Sequence, residues 1–237
     1  MYASDDDGQN WSVAHELAAG RIRHVHALIE DPYSGEVWLC TGDLDHESFL
    51  ARSSDGGHHF EIVGGGSQTW RACCVLFTRE HVYWGADTSK HVEHRNIYRL
   101  GRGEVTPEAL QAVDGAVEFG VRFGGDLLAF TTSRTGYEDA ADRSPRLWVG
   151  RGSGPWYSFM LGRWSEALPG AAGKAYLCAA GQCEHLAMGL MNLQPHDGML
   201  LVTSREVIAR TCPALAAPLR PSDAFAAPIH PPATRAQ

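Results

Sequence analysis

Apolar residues in this chain fall in short runs, most of them alternating with polar positions, and the runs come in groups of four. The first group covers 22–30, 36–41, 48–53 and 60–63. The second covers 70–78, 81–86, 96–100 and 104–110, and the third 115–123, 126–132, 145–150 and 156–161. Alternation over so few residues predicts half-buried β-strands rather than helices. The breaks between runs carry turn chemistry: Asp31-Pro32-Tyr33-Ser34-Gly35, Asp55-Gly56-Gly57, Gly101-Arg102-Gly103 and Gly124-Gly125-Asp126. Four strands in roughly 48 residues is the size of one propeller blade. The pattern therefore predicts an all-β chain, a β-propeller of four-stranded antiparallel blades.

Blade units are expected at about 1–18, 19–63, 64–110, 111–161 and 174–204. The last carries the apolar stretches Lys174–Ala180, Glu184–Leu193 and Gly198–Ser204, about an inner half-blade. Residues 1–18 supply only an outer half. About four blades' worth of chain is present, so either the two halves complete one blade of a four-bladed ring or the chain is a piece of a larger propeller. The segment 213–237 holds half of the 12 prolines with many alanines, and is expected to be a disordered tail.

Two copies of one short pattern mark the period. Ser4-Asp5-Asp6-Asp7-Gly8-Gln9-Asn10-Trp11 and Ser53-Ser54-Asp55-Gly56-Gly57-His58-His59-Phe60 both fit Ser-x-Asp-x-Gly-x-x-aromatic, 49 residues apart. Ser4, Asp6, Ser53 and Asp55 can bond nearby backbone amides and hold a turn. Gly8 and Gly57 can take positive φ, and Trp11 and Phe60 are expected to plug each hairpin against its neighbour. The pattern resembles the Asp-box, or BNR repeat, of sialidase-like β-propellers. The run from His24 to Leu100 is also similar to uncharacterised bacterial members of that group, through His24-Val25-His26, Thr41-Gly42-Asp43, Gly66-Ser67-Gln68, Trp70-Arg71, Tyr83-Trp84-Gly85-Ala86-Asp87 and Asn96-Ile97-Tyr98-Arg99. The resemblance implies six or seven blades, which favours the larger propeller. It also implies a functional face opposite the Asp-boxes, which are structural.

Loops on that opposite face are long and rich in His, Asp, Glu and Arg, where sites on rigid scaffolds usually lie. They are 42–47, 64–71, 85–96 and 131–139. His24 and His26 stand two apart on an inner strand, so both side chains share one face. With Asp43, Glu47 and Asp87 they are the candidate catalytic groups for proton transfer. Arg71 offers a planar fork for a substrate carboxylate, and Trp70 a stacking surface for a sugar. Gln68, Asn96 and Tyr137 complete the candidate substrate-binding set. Tyr137-Glu138 resembles the Tyr–Glu pair that sialidases use for nucleophilic attack, and Arg71, Arg95, Arg134 and Arg143 are arginines near this face. The Phe/Tyr-Arg-Ile-Pro motif of true sialidases is absent, so that resemblance covers the repeats only.

Charge narrows the partners. The 237 residues carry a formal net charge of −8 with no Lys/Arg run, which argues against nucleic acid and anionic membrane. No apolar run reaches the length of a membrane span. Met1-Tyr2-Ala3 leads straight into an acidic turn, so no signal peptide is read and a cytoplasmic chain is expected; a truncated start leaves the periplasm or exterior open. Cys40, Cys73, Cys74, Cys178, Cys183 and Cys212 are scattered, matching neither a disulfide framework nor a zinc motif. No cofactor is expected, a divalent metal at His24/His26 being the minor alternative. The leading expectation is a monomeric glycoside hydrolase or lyase acting on a small acidic sugar at the central channel. The alternatives are a non-catalytic propeller that binds a protein or glycan, and a truncated inactive product.

Overall fold

The computed structural model describes residues 1–135, 144–164, 172–179 and 183–216. Among the described residues the chain is all-β apart from one α-helix and a few 3-10 turns, and most of its strands form the four-stranded antiparallel sheets of propeller blades. It divides into two compact units, Met1–Ala72 and Cys73–Ala227, the latter described to residue 216. Among the described residues, no helix is long and apolar enough to cross a membrane.

The first unit opens with a hairpin of β1 (Tyr2–Ala3) and β2 (Ser12–Val13). A blade follows, in which β3 (His24–Glu30), β4 (Val37–Gly42), β5 (Phe49–Ser53) and β6 (Glu61–Gly65) pair in chain order. Consecutive pairing needs only short connections. Leu39, Phe49 and Ala51 form a small core against Met1, Leu17, Ile22 and Phe60. The register slips between Val25 and Ala27, so His26 is the extra residue of a bulge on β3.

Both Ser-x-Asp turns close with the same hydrogen bonds. The Ser hydroxyl donates to the Asp carboxylate, at 2.9 Å from Ser4 and 2.7 Å from Ser53, and accepts the Gly8 or Gly57 amide at 2.8 Å. The Asp carboxylate then accepts the amide of Asn10 at 2.8 Å or His59 at 2.9 Å. These bonds hold the carboxyls of Asp6 and Asp55 below their ordinary value, the backbone bonds from Asn10 and His59 being the main cause. Asp7 and Gly8 have φ of 58° and 84°, and Gly56 and Gly57 have 74° and 93°, so each turn passes through two left-handed residues. One of the two aromatics differs from expectation. Trp11 remains 64% exposed, lies over Gly8 and donates its indole N–H to the Gly8 carbonyl at 3.0 Å. Phe60 lies over Gly57 in the same way but also reaches the core. Trp11 therefore braces its own turn instead of plugging a neighbour.

The second unit holds two further blades. One pairs β7 (Leu76–Phe77), β8 (His81–Gly85), β9 (Asn96–Gly101) and β10 (Glu108–Ala112). The other pairs β11 (Ala116–Phe123), β12 (Leu127–Ser133), β13 (Arg146–Gly150) and β14 (Trp156–Met160). They pack face to face through Tyr83, Ile97, Val117, Leu128, Phe130 and Trp156. Glycines permit the close approach: a Cβ on Gly85 would stand 2.4 Å from Val117, and one on Gly120 2.7 Å from Phe130. After a short ladder of β15 (Arg163–Trp164) with a later strand, β16 (Lys174–Cys178), β17 (His185–Met191) and β19 (Leu200–Ser204) form a three-stranded sheet, β18 (Leu193–Gln194) being the partner of β15.

Helix α1 (Arg205–Thr211) follows directly, capped by Ser204, and buries Ile208 against the third blade's side of the core with Leu186, Met188 and Leu215. Pro213–Leu215 form a 3-10 turn with Leu215 buried, so the expected tail is anchored at its start, and its remainder lies outside the described residues. Asp126 at the β11–β12 turn is buried between Arg151, at 2.6 Å, and Arg205 of α1. Burial pushes its carboxyl up while the two guanidinium charges oppose the shift.

Candidate functional site

The antiparallel register sends the start of β3, the end of β4 and the segment after β6 to one end of the first blade. The Ser53–Phe60 turn, joining β5 to β6, lies at the other end. Five of the sequence candidates meet at the former end. His24 pairs with Gly42, which places both imidazoles beside Asp43, and their ring centroids are 4.8 Å apart. Gly42 makes room for this: a Cβ there would stand 2.6 Å from Cε1 of His26 and 3.0 Å from Cγ of Arg71. The site thus requires glycine at position 42 for space rather than for backbone freedom.

Asp43 is the hub. Its Oδ1 accepts Nη2 of Arg71 at 2.9 Å and faces Nε2 of His26 at 3.6 Å and Nε2 of His24 at 3.9 Å. Its backbone carbonyl accepts the Gln68 amide at 3.0 Å and Nη1 of Arg71 at 3.3 Å. Gln68 also donates to Asp45 at 2.9 Å, so the 68–71 turn is stitched to the 43–47 loop. The His26 side chain is 3% exposed, whereas that of His24 is 54% exposed. Nδ1 of His26 lies 3.2 Å from the carbonyl of Ala72, which can only accept, so Nδ1 carries the proton and Nε2 presents a lone pair. Burial holds the His26 pKa below its ordinary value, and the charges of Arg71 and His24 add to the effect.

Glu47 is placed differently from the other candidates. Its Oε2 accepts the amides of Asp43 and Leu44, each at 3.0 Å, and these bonds hold its carboxyl below the ordinary value. It braces the loop that carries Asp43. Trp70 is 7% exposed with its ring laid over Gly64, where a Cβ would stand 2.2 Å from it, so the expected stacking surface is covered. Arg23 was not among the sequence candidates. It reaches Oδ2 of Asp43 at 3.8 Å and Oε1 of Glu47 at 3.6 Å. Its only sequence signal is its position one residue before the His pair.

The remaining candidates belong to the second unit. Asp87 is buried just beyond β8, and its charge, after burial, raises the thiols of Cys73 and Cys74, the latter to about 12. Glu118, near Cys73, is paired with Lys174. Asn96 opens β9 and donates to the Glu93 carbonyl and the Tyr98 hydroxyl, both at 3.3 Å. Arg95 is buried on the Ser89 carbonyl, and Arg134 is buried against Asp114 at 2.7 Å, so neither guanidinium is presented at a surface. Tyr137, with Glu138, Asp139 and Arg143, lies outside the described residues.

No protein-family model and no curated protein sequence matches the chain. Among solved structures it is similar to the GH74 enzyme of Niastella koreensis, with TM-score 0.49 and 15% identity, covering 68% of this chain and 24% of that one. It is also similar to prolyl oligopeptidase B from Galerina marginata, with TM-score 0.44 and 13% identity, covering 71% of this chain and 23% of that one. The chain spans about a quarter of the length of each. Likeness at this level leaves the chemistry of this chain to its own residues.

Proposed function

We propose that this chain is part of a sialidase-like propeller that acts on a small acidic sugar, as a glycoside hydrolase or lyase, with the His24–His26–Asp43–Arg71 cluster as its site. The observation that carries the reading is the meeting of two imidazoles, a carboxylate, a guanidinium and an amide at the blade end opposite the Ser53–Phe60 turn. Arg71 brings the guanidinium that a sugar carboxylate calls for, while Gln68, whose amide donates to the Asp43 carbonyl and to Asp45, holds the loop in place. His24, largely exposed, is the group a ligand meets first, and Asp43 links it to Arg71.

The test is calorimetric titration with sialic acid and glucuronic acid, against neutral glucose as control. Binding of one acid, weakened at least tenfold in Arg71→Met, supports the reading; equal heats for acid and glucose contradict it. The engagement of both Arg71 terminal nitrogens by Asp43 and Gln68 favours a second reading, a non-catalytic binding face for a glycan or protein. Acid binding without turnover of a polymeric uronate or a sialoside selects it.

A further inference from the structure

The spacing around Asp43 carries a second consequence. One ring nitrogen of His24, one of His26 and one carboxylate oxygen of Asp43 all lie within 4.8 Å of one another. The two nitrogen-to-oxygen distances, 3.9 and 3.6 Å, are too long for hydrogen bonds. They are close to the edge of a coordination polyhedron: ligand atoms about 2.1 Å from a tetrahedral ion are about 3.4 Å apart.

The surroundings also suit a metal. Metal-bound imidazole usually donates its second ring N–H to a carbonyl or carboxylate, which fixes the tautomer. His26 has that partner in the Ala72 carbonyl. Oδ1 of Asp43, which faces both imidazoles, also accepts Nη2 of Arg71 at 2.9 Å, and ligating carboxylates commonly accept such hydrogen-bond donors of their own. Three protein ligands leave coordination positions open, and the exposure of His24 puts them at the surface. The charges nearby set the strength. Arg71 and Arg23 stand against Asp43 and Glu47, so the site offers an incoming dication little net attraction and depends on its nitrogen donors.

We propose that His24, His26 and Asp43 form a three-ligand site for a divalent first-row transition ion of the zinc type, with open positions facing solvent. The ligand set of two imidazoles and one carboxylate selects such ions over calcium or magnesium, which take mostly oxygen. The inference uses the same cluster as the sugar reading but does not depend on it, because metal affinity is measured with no sugar present.

The probe is cobalt(II), added to the tag-free chain after its exposed thiols have been alkylated and followed by visible absorption. One equivalent should saturate, giving the intense bands of a four- or five-coordinate site, and zinc should displace it. His24→Ala, whose exposed ring can be removed without opening the core, should weaken cobalt binding at least tenfold with an unchanged melting temperature. Arg71→Met should bind cobalt as tightly as the wild type or more tightly, while losing affinity for the acidic sugar. The two variants thus separate failure of the metal site from failure of the sugar reading. Weak bands that never saturate, or saturable binding unaltered in His24→Ala, overturn the proposal.

Discussion

Gly42→Ala tests the packing on which the cluster depends. The new methyl would stand 2.6 Å from Cε1 and 3.0 Å from Nε2 of His26, and 3.0 Å from Cγ of Arg71. Ordinary contact begins near 3.4 Å, so the His26 ring must retreat by about 0.8 Å and the Arg71 stem by about 0.4 Å. His26 is buried and tied to the Ala72 carbonyl, so it can retreat only by weakening that bond. Overpacking of this kind costs about 1–3 kcal/mol. For a chain of this size each kcal/mol lowers the melting temperature by about 2–4 °C. Thermal unfolding followed by circular dichroism should therefore fall by several degrees, and cobalt affinity should fall with it, because Nε2 of His26 moves away from Asp43. Gly189→Ala is the control: nothing lies within 4 Å of its Cβ and its φ is ordinary, so it should be neutral or slightly stabilising. Equal melting temperatures for Gly42→Ala and wild type, with His26 ring resonances unshifted, would refute the reasoning.

Other consequences can be measured directly. Ser53→Ala removes the hydroxyl that links the Gly57 amide to Asp55, and should cost about 1 kcal/mol in urea unfolding. Asp126→Asn leaves Arg151 and Arg205 facing a neutral buried partner, and should destabilise the chain by about 3 kcal/mol. Asp6, Asp55 and Glu47 all have lowered folded pKa values, so the stability they lend is full above the unfolded values of 3.8 to 4.5 and is lost as pH falls through the folded ones. The urea midpoint should accordingly drop between pH 6 and pH 3, less so in Asp55→Asn. Among the six cysteines, exposed Cys178 and Cys183 should react with a thiol reagent at pH 8 in the native state; buried Cys74, raised to about 12, should react only on unfolding.

The blades were legible because a strand with one buried face writes its pleat into the sequence. The runs 48–53 and 126–132 fall on β5 and β12 within a residue or so. The run 70–78 shortens to Leu76–Phe77: its first residue, Trp70, closes the 3-10 turn Gln68–Trp70 and is seated on Gly64, and residues 71–75 belong to no strand. Helix α1 was missed, although Ser204 as cap and Glu206 in the first turn were in view, because its seven residues are too few to show a helical period. At the site, the rings of His24 and His26 do meet, 4.8 Å apart, but His26 is the extra residue of a bulge on β3, which interrupts the alternation that their spacing of two relies on. The pairing of Arg71 with Asp43, 28 residues away, depends on sheet register and loop course, and no local pattern encodes either. Glu47 looked like an acid–base group, yet the amides of its own loop claim its carboxylate.

The central claim is that function resides at the His24–Arg71 end of the first blade and not at its Ser-x-Asp turn. The most direct measurement is chemical-shift mapping on the isotopically labelled chain, with histidine ring and arginine side-chain resonances followed as an acidic sugar and, separately, zinc are added. The account predicts perturbations concentrated on His24, His26, Asp43 and Arg71, with Asp55, His58 and His59 unmoved. Perturbations centred on the Ser53–Phe60 turn, or none with either ligand, would contradict it.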